Sequence, residues 1–127
     1  MGETIFSTAS STQEIKIVIE SKVRSWVCDS ADNCALVTTK AELNDGNWHH
    51  LAMTYTGSTR TVQVYLDGVS QGTSKNSKLS GRLYGSDVTV GGAGLGFFNG
   101  DIDDLRIWNV VRTEQEIQDN MNVENPT

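Results

Sequence analysis

A chain of 127 residues has the size of one domain, large enough to bury about 65–70% of the surface its unfolded form exposes. Its 37% hydrophobic content, twelve glycines and single proline fit a turn-rich globular protein rather than a disordered or fibrous one. A net charge of −6 and a pI near 4.7, with no run of Lys and Arg, set the chain against nucleic acid as a partner. No window approaches ~18 consecutive apolar residues, so nothing reads as a membrane span. The opening MGETIFST has neither the basic nor the apolar segment of a secretion signal. Met-Gly ahead of what reads as mid-domain sequence suggests an engineered start, with residues 1–3 outside the fold and 122–127 a tail of one domain over 1–127.

In chain order, alternation of apolar and polar residues predicts strands. Residues 14–20 put Ile15, Ile17 and Ile19 on one face. Residues 22–28 and 35–38 read as a hairpin around the turn-forming Asp29-Ser30-Ala31-Asp32-Asn33, with Cys28 and Cys34 at its two ends. Such a hairpin brings the sulfurs into disulfide range; free thiols are the other reading. Zinc is weak here because no second Cys/His pair lies at ligand spacing. A bridge would imply an oxidising compartment. Residues 49–55 alternate with Leu51, Met53 and Tyr55 on one side, and 62–66 run into Asp67-Gly68, a two-residue hairpin signal. Residues 88–90 end in Gly-Gly, 91–96 read as a glycine-rich rim loop, and 102–108 read as the last strand. That loop cannot be a phosphate cradle of the usual kind, because a strand rather than a helix follows it. Thr113 and Glu116 stand in capping-box spacing, with Ile117 and Met121 following at i, i+4, so a short helix closes the chain. The sum is an all-β, antiparallel two-sheet sandwich with one short C-terminal helix.

Four segments carry a resemblance. Asp45-Gly46-Asn47-Trp48-His49-His50-Leu51-Ala52-Met53-Thr54-Tyr55, then Val64-Tyr65-Leu66-Asp67-Gly68, then residues 98–109 (FNGDIDDLRIWN), and finally residues 114–117 resemble, in order and spacing, the laminin-G-like jelly rolls of the concanavalin A-like lectin/glucanase superfamily. Pentraxins are more distant relatives. The resemblance covers roughly residues 4–121. It implies a sandwich that recognises carbohydrate as one module of a larger extracellular protein, with an extracellular protein ligand or self-association as the rival reading. The two strands that open such domains do not precede Thr4, which leaves an open sheet edge. A shortened chain, a reduced variant, or a second copy filling the gap as a homo-oligomer would each account for it.

The aspartates of residues 101–104 test the enzyme reading. Laminarinase-type relatives use E-(I/L)-D-x-x-E, in which the outer carboxylates serve as nucleophile and acid about 5–5.5 Å apart. Aligned on Asp103, this chain offers Asp101 in the first place and Arg106 in the last. A guanidinium donates no proton at neutral pH, so the resemblance implies a non-enzyme. Structural charge accounts for Asp103 and Asp104. Calcium, which such domains bind at a sandwich rim, is the alternative use of Asp101 and Asp103, and of Asp29, Asp32 and Asn33, whose simpler reading is turn formation. A pentraxin-type calcium loop would fall at 91–98, where oxygen side chains are lacking. His49 and His50, adjacent on an expected strand, would point to opposite faces and could not chelate one ion. Sugar platforms are sought among Trp26, Tyr65, Tyr84 and Trp108, with Gln63 and Asn99 as polar partners, while Trp48 is assigned to the core.

Overall fold

The alternating segments between residues 14 and 66 each find a ladder partner. A computed structural model describes residues 3–9, 14–29, 31, 33–42, 45–79, 87–90, 92–93, 96–97, 102, 106 and 111–122. Its elements are β1 (Glu3–Ala9), β2 (Glu14–Ile19), β3 (Val23–Cys28), β4 (Cys34–Thr38), β5 (Leu51–Thr56), β6 (Thr61–Leu66), β7 (Val69–Lys75), β8 (Asp87–Val90), β9 (Gly92–Ala93), β10 (Gly96–Phe97) and α1 (Glu114–Asn120). The larger sheet runs β4-β3-β2-β1-β10-β9, with β8 also on β1; the smaller runs β5-β6-β7. All ladders are antiparallel except the β1–β10 contact, a parallel one at Thr4 and Phe97.

Register turns these alternations into two facing layers. Across the larger sheet, Ile15 opposes Val27 and Val27 opposes Ala35, while Ser25 opposes Val37. In the smaller sheet, Tyr55 opposes Val62, Met53 opposes Val64 and Leu51 opposes Leu66. Val27, Ala35, Val37, Val62, Val64 and Leu79 form the buried cluster, with Ile15, Leu51, Met53 and Tyr55 packed against it. Fully buried valines such as Val27, Val62 and Val64 each contribute about 1.5–3 kcal/mol relative to exposure.

Polar side chains tie the layers at one side. The β6–β7 register shifts between Val64 and Tyr65, so that Val64 faces Gly72, Tyr65 faces Ser70, and Gln71 is the extra residue. A bulge of this kind re-aims a side chain. Gln71 is 9% exposed, and its Oε1 accepts the backbone N–H groups of Lys40 and Ala41 at 3.0 and 3.2 Å. Asn76 Nδ2 donates to the Cys34 carbonyl, and Asn33 Nδ2 to that of Lys78. Cys28 and Cys34 form a disulfide across the β3–β4 hairpin.

Two expectations change, and a third is only partly described. Ile102 and Arg106, the described residues of the expected last strand, are not in a strand, and the rest of residues 102–108 lies outside the described residues. The glycine-rich segment contributes β9 and β10, which pair with each other because glycine's small size does not prevent backbone pairing. Finally, β5 begins at Leu51, so His49 and His50 precede the strand and its alternation does not govern them.

Candidate functional site

The hairpin turn at Asp67-Gly68 is the foundation of the site. Both residues have positive φ, 51° and 79°, the mirror-image turn that suits the twist of a two-residue hairpin. The β5–β6 register that pairs Leu51 with Leu66 brings the segment before β5 beside this turn. Asp67 N–H donates to the His50 carbonyl at 2.7 Å, and His50 N–H donates to Asp67 Oδ1 at 2.8 Å.

His49 joins two carboxylates. Its Nδ1 lies 2.7 Å from Asp67 Oδ2 and its Nε2 lies 2.8 Å from Asp45 Oδ1. Asp45 also accepts the Asn47 N–H at 3.0 Å, which sets the turn ahead of Trp48. The hydrogen bond to Asp67, followed by that to Asp45, raises the His49 pKa above its ordinary value. The His49 hydrogen bond and then the Asn47 N–H hold Asp45 low. For Asp67, burial pushes upward, but the His49 and His50 hydrogen bonds outweigh it and the net shift is downward.

Helix α1 completes the wall. Thr113 Oγ1 accepts the Glu116 N–H while Glu116 Oε1 accepts the Thr113 N–H, the expected capping box. Glu114 and Gln118 share a helix face. Glu114 Oε2 accepts the Ser70 N–H at 3.1 Å, and Gln118 Nε2 donates to the Gly68 carbonyl at 2.8 Å. Arg106 Nη1 donates to the Asn120 carbonyl at 3.3 Å, a favourable cation at a helix C-terminus. Between these walls lies a cleft of about 290 Å³ lined by Trp48, His49, His50, Asp67, Arg106, Met121 and Asn122.

Trp48 corrects the expectation of a core residue: it is 69% exposed. It lies in the segment that follows the Asp45–Asn47 turn and precedes β5, where no strand pairing turns it toward the core. Tyr65 corrects in the other direction. It was sought on the surface but is 4% exposed, because α1 covers that end of the hairpin; burial, then the charge of Glu114, raises its pKa.

The remaining candidates scatter. Trp26 is half-buried on the outer face of the larger sheet, with Lys16 Nζ 5.7 Å from its ring centre. Gln63 donates to Ser70 Oγ. Asp29 turns its carboxylate onto its own loop, accepting from Ala31 N–H, Asn33 N–H and Asn33 Nδ2 at 3.0, 3.0 and 3.2 Å. Among the described residues no group of three His, Cys, Asp or Glu side chains is arranged to hold a metal ion, and Asp29 with Asn33 alone is not a calcium shell. Tyr84, Asn99, Asp32, Asp101, Asp103, Asp104 and Trp108 lie outside the described residues. No helix among the described residues is long and apolar enough to cross a membrane.

Comparison with known proteins agrees with this architecture. Two curated relatives, from Rattus norvegicus and Mus musculus, are both named "Sushi, von Willebrand factor type A, EGF and pentraxin domain-containing protein 1"; each is 29% identical over 92 residues, 65% of this chain. The chain spans only 3% of the length of either. A crystal structure of an S-layer domain-containing protein from Clostridium thermocellum is similar over 93% of this chain and 62% of that one, at 21% identity and a TM-score of 0.48. The family model Laminin_G_3, described as "Concanavalin A-like lectin/glucanases superfamily", matches residues 2–118. With that match covering most of its length, the chain belongs to the concanavalin A-like lectin/glucanases superfamily.

Proposed function

We propose that this domain is a non-catalytic module that binds carbohydrate in the cleft beside the Asp67-Gly68 turn, as part of an extracellular protein. The observation that carries the reading is Trp48, a large apolar ring 69% exposed at the wall of a cleft whose other lining side chains are polar except for Met121. Ligand sites combine an apolar platform with a few convergent polar groups, and the apolar face of a pyranose matches an indole. Asp67 and Asn122 supply acceptors and donors for hydroxyls around that platform.

Two features support binding over catalysis. A glycoside hydrolase needs one carboxyl group kept protonated near neutral pH. Asp45 and Asp67, the carboxylates bridged by His49, are instead both held low. The disulfide supports an oxidising compartment outside the cytosol.

A glycan array followed by calorimetry on Trp48→Ala tests the reading. Loss of a stacking platform should weaken binding by roughly tenfold or more, about 1.4 kcal/mol, while Trp26→Ala leaves it unchanged. An array without ligands, or a Trp48→Ala variant that binds as the parent does, would sink it. A concentration-dependent dimer in light scattering together with a silent array would favour self-association instead.

A further inference from the structure

The geometry of the Asp45–His49–Asp67 bridge demands more of His49 than packing. Both ring nitrogens lie within 2.8 Å of a carboxylate oxygen. A neutral imidazole carries one N–H and one lone pair, so it can satisfy only one of the two. The other nitrogen would then press a lone pair against a carboxylate. Only the imidazolium donates to both.

The two carboxylates are not equally anchored. Asp67 is fixed independently, through its Oδ1 to the His50 N–H and its own N–H to the His50 carbonyl. Asp45 belongs to an exposed turn, and its other hydrogen bond, from the Asn47 N–H, lies within that same turn. Loss of the His49 proton therefore releases Asp45 rather than Asp67. Trp48 sits between Asn47 and His49 in sequence, so the turn that lets go is the one that carries it.

We propose that His49 is the positioning residue of the cleft, an imidazolium latch that fixes the 45–48 turn and the Trp48 platform and opens that turn when it deprotonates. The charged and titratable groups facing it are Asp45 from the turn, Asp67 from the hairpin, His50 beside it and Arg106 across the cleft; Met121 and Asn122, at the end of α1, bring no charge. Its hydrogen bonds to Asp67 and Asp45 raise the His49 pKa, which places the opening on the alkaline side. The consequence for ligand affinity, tighter below neutrality, rests on the carbohydrate reading of the cleft; the latch itself does not.

The test is an NMR titration of the isotopically labelled protein without ligand, from about pH 5.5 to about pH 8.5, the range in which histidines titrate. His49 ring nitrogens report protonation, and the Trp48 indole N–H, assigned with Trp48→Phe, reports the turn. The expected result is a His49 midpoint above 6.5, with the Trp48 signal moving at the same midpoint. Asp45→Asn should lower that midpoint and uncouple Trp48 while the rest of the spectrum is retained. A Trp48 signal that stays put while His49 titrates, or a His49 already neutral at about pH 6, would overturn the latch. Because no ligand enters the measurement, a silent glycan array would defeat the carbohydrate reading and leave this result intact.

Discussion

Gly46 and Gly68 share a left-handed backbone, φ 81° and 79°, and differ in what surrounds them. A Cβ on Gly46 would meet nothing within 4 Å, whereas one on Gly68 would fall 2.8 Å from Gln118 Cγ and 3.3 Å from Met121 Sδ. Gly46→Ala should therefore cost about 1 kcal/mol, the left-handed penalty alone. Gly68→Ala should cost about 2–3 kcal/mol, because α1 must also shift from the hairpin. Urea denaturation of the two variants checks the difference; equal costs would mean that the helix is not seated on the turn. At this scale much was legible in the sequence. The capping residues, the Asp67-Gly68 turn and the pairing of Cys28 with Cys34 follow from local chemistry. Trp48 was misplaced because a bulky aromatic was assigned inward by type, although it precedes β5 and no strand alternation places it. The Asp45–His49–Asp67 bridge was missed because only the β5–β6 register brings Asp67 to His49.

Among elements, β7 shows what local pattern does not encode. Its sequence, VSQGTSK, has no apolar alternation, yet it lies at the edge of the smaller sheet and ties that sheet to the larger through the bulged Gln71. Gln71→Ala would leave the Lys40 and Ala41 N–H groups without this acceptor, at a cost of about 1–3 kcal/mol; Gln71→Met, which keeps the bulk but no acceptor, should lose about as much. Chemical denaturation compares the two, and a Gln71→Met variant as stable as the parent would show that the side chain only fills space. The bulge could not be foreseen, since register shifts depend on what the facing sheet offers. Strands β2 to β6 were legible because each carries an apolar alternation, which β3, β4 and β6 bury most fully. Helix α1 was legible through its cap, but its seat on the hairpin was not, because the bonds that make it run from Glu114 to Ser70 and from Gln118 to Gly68, far apart in sequence.

For the molecule as a whole, the same site sets a pH dependence of stability. His49 has a raised pKa in the fold, so its contribution is complete below the ordinary 6.5 and is lost as pH rises through the folded value. Asp45, Asp67 and Glu116 are held below their ordinary values; their contributions are complete above those values and fade as pH falls through the lower folded ones. Stability should thus be greatest between about pH 4.5 and about pH 6.5 and decline toward about pH 8.5. Thermal melts across this range, repeated on His49→Gln, check the assignment: the alkaline decline should vanish in the variant, and its persistence would place the cause elsewhere. The fold class was evident from alternation and turn spacing together, whereas the cleft draws on four separate segments and needed the assembled structure.

The first strand gives the architecture its sequence-distant closure. Strands β2, β3 and β4 follow one another through antiparallel ladders, as do β5, β6 and β7. β1 instead lies inside the larger sheet, flanked by β2 on one side and by β8 and β10 on the other, with Ala9 paired to Asp87. Trimming the chain to its second strand would therefore do more than shorten an edge. It would strip β8 of its described ladder, turn β2 into an unprotected boundary and present two unpaired strand surfaces to neighbouring molecules. β1 is thus a keystone of the larger sheet, and a fragment that keeps both of its ladders has to include residues 3–9.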